Sequence, residues 1–170
     1  MKAMKKILAL ALAGVMALAL LTGCGTGGSA SHKSIAEAMA DYARVVENNP
    51  NITCTSSSEL DAKLQSLAKN PGFENVVKAV YTNGTLPAIP SDGVLAGKVV
   101  YLYCGKYDKD AGKQAINLNA WGHYTHIGSN STLADERQIG LITTSFTDTN
   151  GEKVKVRFAV VVSDIPAATP

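Results

Sequence analysis

The sequence predicts an α+β domain, and three observations predict it. Apolar residues recur at three- and four-residue steps through the first half of the chain. They alternate, rich in Val and Ile, through its last third. Asn150-Gly151 joins the last two alternating stretches as a hairpin turn.

The first helix is predicted from Ser34. Ile35, Ala38, Met39, Tyr42, Val45 and Val46 follow the helical period, Ser34 stands as N-cap, and Glu37 three residues on completes a capping box. Asn48-Asn49-Pro50 stops it. After a short extended piece, Ile52 to Thr55, Ser58 is expected to cap a second helix with Leu60, Leu64, Leu67 and Ala68 on one face, ended by Asn70-Pro71-Gly72. Phe73, Val76, Val77, Val80 and Tyr81 predict a short third helix closed by Asn83-Gly84. Residues 85–97, with two Pro and two Gly, predict a loop. Lys98 to Cys104 alternates as a strand. Asp108 to Asn119 allows either a helix capped by Asp108 or, from Gln114 on, a strand; the helix is the expectation. Gln138 to Thr147 and Lys153 to Ser163 are the two strands of the hairpin, with Asn-Gly supplying positive φ values.

The amino terminus predicts where this domain works. Lys2, Lys5 and Lys6 precede an apolar run from Ile7 to Leu21, shorter than the roughly 20 residues of a membrane span and ordered like a secretory signal. The run ends in Leu21-Thr22-Gly23-Cys24, which resembles a bacterial lipobox. Residues 1–23 are thus expected to be a signal peptide, and Cys24 the lipidated first residue of the mature chain, on the extracytoplasmic face of the cell membrane. Residues 24–33 form a Gly/Ser tether, 34–164 the domain and 165–170 a tail. Three Lys leave with the signal and no acid does, so the formal charge turns from +2 to slightly negative. A chain with no basic excess has no electrostatic footprint for nucleic acid. Cys54 and Cys104 remain as an even pair outside the cytoplasm, a disulfide candidate, with two buried free thiols as the alternative.

The chemistry-bearing stretch is Trp121 to Gly128, which holds the only Trp and two of the three His. On a helix, His123 and His126 would share a face and could ligate one metal ion, but no third ligand stands nearby, so neither a metal nor another cofactor is expected. No Ser or Thr occupies a recognised nucleophile setting. Tyr101, Tyr103 and Tyr107, with Tyr124 and Trp121, either line an apolar groove or pack the core.

These residues resemble the CAP superfamily, also called the SCP domain. AMADYAR over 38–44 and NITCTSSSELDAKLQSLA over 51–68 are similar to that family's first helix, extended link and second helix. Gly122-His123-Tyr124-Thr125 with Ile127 matches much of its GHYTQ(I/V) signature, and residues 108–120 stand where its preceding helix does. Ile139-Gly140-Leu141 and the Asn150-Gly151 hairpin look like its closing strands. The resemblance implies a three-layer α-β-α sandwich with an antiparallel sheet. It also implies a cleft, for which His123, Tyr124, His126, Tyr101 and Tyr103 are the candidate residues. The family builds that cleft on two His and two acids; here only His123 has a counterpart, and the signature Gln is His126. The function expected is therefore non-enzymatic binding of a small or lipidic ligand, or of a cell-envelope partner, by a membrane-anchored lipoprotein. The alternatives are a hydrolase or protease-like enzyme using His123 and a structural envelope module.

Overall fold

Two long antiparallel strands, β4 (Glu136–Thr147) and β5 (Lys153–Asp164), form the centre of the sheet in a computed structural model that describes residues 30–83, 98–119, 124–128 (backbone) and 132–165. Asp148 builds the turn between them. Its amide donates to the Glu152 carbonyl, its carbonyl accepts from the Gly151 amide, and its carboxylate accepts from the amides of Asn150 and Glu152. Gly151 alone takes the left-handed conformation there, at φ 84°, so the turn needs one positive φ rather than the pair predicted for Asn-Gly.

β2 (Lys98–Lys106) pairs antiparallel with the other side of β5, and β3 (Tyr124–Gly128) pairs antiparallel with β2. β1 (Thr53–Ser56) pairs with β4 in parallel, giving the order β1-β4-β5-β2-β3. The sheet is therefore mixed, where an antiparallel one was expected. β1 joins the edge of β4 and leaves at once into a helix, with the Ser57 amide donating to the Ile139 carbonyl as the strand ends.

Helices cover both faces. α1 (Ala30–Val46) and α4 (Ala111–Asn119) pack through Ile35, Ala36, Met39, Ala115 and Leu118 onto Ile139, Leu141, Ala159 and Val161. α2 (Ser58–Leu67) and α3 (Phe73–Tyr81) pack on the opposite face, against Val100, Leu102, Ile142, Phe146, Phe158 and Val160. Period-two alternation along β4 and β5 sorts these residues to their faces. Two glycines let helix backbones press on the sheet. A Cβ at Gly140 would lie 2.4 Å from Leu60 Cβ, and one at Gly105 would lie 2.3 Å from the Asn117 carbonyl oxygen.

Helix boundaries depart from the local signals where tertiary bonds intervene. α1 starts at Ala30, so part of the predicted tether is helical, and His32 at its first turn bonds Asp61 at 2.7 Å. The cap of α2 is Ser57, whose hydroxyl accepts from the Leu60 amide, rather than Ser58. The Lys113 amide at the start of α4 is met by the Asp110 carboxylate rather than by Asp108. Left-handed Asn48 and Asn83 follow α1 and α3, as their positions after those helices predict.

Candidate functional site

The register of β2 against β3 brings four of the predicted cleft residues together as two cross-strand pairs, Tyr101 opposite His126 and Tyr103 opposite Tyr124. Tyr101 and Tyr103 are half-buried on the face that α1 covers, their ring centroids 6.2 Å apart. Above them α1 does not close fully on the sheet. A cleft of about 360 Å³ remains, walled by Met39, Ala43 and Val46 of α1, Cys54 of β1, the two tyrosines and Leu133. That volume is at the small end of ligand-binding cavities, which run from roughly 300 to 1,000 Å³.

Arg137 closes one side of the cleft. It shares the inward parity of Ile139 and Leu141 on β4, so its stem is buried and its charge must be met inside. Its two terminal nitrogens donate to both carboxylate oxygens of Glu47, at 2.8 and 2.7 Å, and its Nε donates to the Ala134 carbonyl at 2.8 Å. Burial pulls the Arg137 pKa down, but the hydrogen bonds and charge of Glu47 outweigh it, and the net shift is upward. The bidentate pair gives the cleft a polar wall. Burial also pushes the Cys54 thiol up to about 12, against a smaller lowering by the Arg137 charge, and raises the Tyr103 hydroxyl. Neither group ionises at neutral pH. The described lining of the cleft is mostly apolar.

Of the other predicted site residues, Cys24, Trp121 and His123 lie outside the described residues. His126 and Tyr124 are placed by backbone only, in a strand. The helical spacing under which His123 and His126 would share a face therefore does not apply from Tyr124 onward. Tyr107 is not in the cleft but at the far end of β2, beneath Lys155 and Arg157.

The proposed Cys54–Cys104 disulfide is corrected, because both cysteines are free. β1 and β2 are three strand spacings apart, roughly 14 Å, whereas bridged Cα atoms lie within about 7 Å. The thiols also face opposite sides of the sheet, Cys54 toward α1 and Cys104 into the core beneath α2 and α3.

Sequence reasoning missed Arg137, Glu47 and Leu133. The signal for Arg137 was present: an arginine at an inward position of an apolar strand. A second buried polar contact was missed with His32. Asp61 accepts from His32 Nδ1 through one oxygen and from the Leu141 amide, at 2.6 Å, through the other. That amide faces the edge where β1 has already ended, and the α2 carboxylate takes the place of the missing strand.

No family model, curated protein or solved structure matches this chain.

Proposed function

We propose that this chain is a lipid-anchored, extracytoplasmic lipoprotein whose CAP-like, three-layer domain binds a small apolar or lipidic ligand without transforming it. The observation that carries the proposal is the cleft floored by Tyr101 and Tyr103. Its lining offers apolar surface and aromatic faces, and its carboxylate, Glu47, is engaged twice by Arg137 rather than available as a base. The order of helices and strands and the helices on both faces agree with what the resemblance implies; the parallel β1 is a difference from it. The lipobox-like Leu21-Thr22-Gly23-Cys24 supports this reading, since a lipid anchor would hold the domain beside a bilayer and its amphiphiles.

Titration with an environment-sensitive fluorescent fatty-acid analogue tests this reading. Saturable binding is expected, displaced by unlabelled fatty acid and weakened at least about tenfold by Leu133→Trp, which fills the cleft. Equal uptake of the probe by the wild-type chain and by Leu133→Trp would remove the cleft from the account.

A further inference from the structure

The end of the sheet away from the cleft holds a charge arrangement that the binding cleft does not use. Arg157 follows the same parity as Ala159 and Val161, so it points to the α1/α4 face, beside Gly105, on which α4 presses. It is only 7% exposed. Among the described residues its Nε has no hydrogen-bond partner and no carboxylate pairs with it. The Tyr107 ring carries it, with Arg157 Cζ at 5.3 Å from the centroid, and the same ring carries Lys155 Nζ at 4.0 Å. Two cations thus converge on one ring. Of the acids of this end, Asp108 accepts from the Asp110 amide, Asp110 from the Lys113 amide, Asp148 from its own turn and Glu74 from the Thr147 amide, and neither these nor Glu152 form an ion pair with Lys155 or Arg157.

A largely buried guanidinium beside a second cation, with no carboxylate paired to it among the described residues, is stabilised when an anion joins them. The neighbours suit an oxyanion. Thr143 stands directly opposite Arg157 and Ser145 opposite Lys155 on β4, each cross-strand pair within about 5.5 Å at Cβ. Thr143 and Lys155 are exposed, so the position is open to solvent. A ring face, a guanidinium, an ammonium and two hydroxyls make a set that matches a phosphate group: two charges for its charge and several donors for its oxygens.

We infer that Arg157, Lys155, Thr143 and Ser145 form a binding site for a phosphate-class oxyanion, supplied either free in solution or as a phospholipid headgroup. The inference is independent of the cleft and of its ligand. Phosphorus NMR on the full chain tests it. Inorganic phosphate should broaden saturably at constant ionic strength, with the dissociation constant raised about tenfold by Lys155→Gln. Lys153→Gln, the same charge change at the exposed start of β5 two residues from Lys155, should leave it unchanged. Arg157→Gln should abolish binding, and Lys155→Gln, being at an exposed position, keeps the test valid if Arg157→Gln fails to fold. In a second arm, the chain is reconstituted in vesicles of phosphatidylcholine with or without phosphatidic acid. Selective broadening of the phosphatidic-acid line with no effect on free phosphate assigns the lipid source, and the reverse assigns the soluble one. No broadening in either arm, or equal losses in Lys155→Gln and Lys153→Gln, would overturn the site.

Discussion

Asp61 joins three elements through one carboxylate. It ties α1 to α2 through His32 and stands in for β1 by accepting the Leu141 amide. Asp61→Ala leaves a buried N–H unsatisfied and frees the first turn of α1, and is expected to cost about 2–4 kcal/mol. Asp61→Asn keeps a carbonyl for Leu141 and is expected to cost less, about 1–2 kcal/mol. Urea denaturation at unchanged m-value measures both. The two thiols make a pH prediction. Each is protonated in folded and unfolded chains below its ordinary value of 9.0, so stability is constant there. Above that pH the unfolded thiol ionises, while burial holds the folded one protonated to about 12. Stability should therefore fall as pH rises from about 9 toward 12, by roughly 1.4 kcal/mol per pH unit for each thiol. Cys54→Ala and Cys104→Ala should each flatten that slope. Both thiols should be unreactive toward alkylating reagents in the native chain at pH 8 and reactive in denaturant. At this scale the sequence was legible where a residue's type matched its neighbours and misleading where a distant partner decided. Ser34 has every local mark of an N-cap, but His32 finds Asp61 on another helix, and the helix starts earlier.

At the scale of elements, the close approach of α2 to β4 rests on Gly140. A methyl group there would meet Leu60 Cβ at 2.4 Å and the Leu60 carbonyl carbon at 2.9 Å. Because a helix backbone cannot yield as a side-chain tip can, Gly140→Ala is expected to destabilise by about 1–3 kcal/mol through overpacking. Gly151→Ala has no neighbour to meet, only an unfavourable φ, and is expected to cost about 1 kcal/mol. Thermal unfolding of the two variants should rank them in that order. The hairpin was readable because its pattern is local: two alternating runs flank a turn that Asp148 and Gly151 complete. β1 was readable as extended but not as a parallel partner of β4, since nothing near Thr53 indicates the strand around Glu136. That one pairing separates the mixed sheet from the antiparallel one predicted. The same strand order, which no local pattern encodes, sets Cys54 and Cys104 on opposite faces of the sheet.

At the scale of the whole molecule, the aromatic floor of the cleft is legible in the sequence and its walls are not. Tyr101 and Tyr103 meet His126 and Tyr124 in register, yet the cleft owes its shape to the gap between β2 and α1, which packs against β1 and α4, and to Arg137 held by Glu47, both products of tertiary packing. The proposed lipid anchor belongs to this scale as well. Cys24→Ser is expected to move the chain from the membrane fraction to the soluble extracytoplasmic fraction, followed by fractionation and by the loss of acyl mass from the mature protein. Retention in the membrane fraction would count against lipidation as the anchor. The most direct test of the binding account is native mass spectrometry of the purified chain, followed by organic extraction. A bound amphiphile present in the wild-type chain and lost in Leu133→Trp is predicted. A wild-type chain that carries only its own mass, and stays unliganded when offered fatty acids and lysolipids, would contradict it.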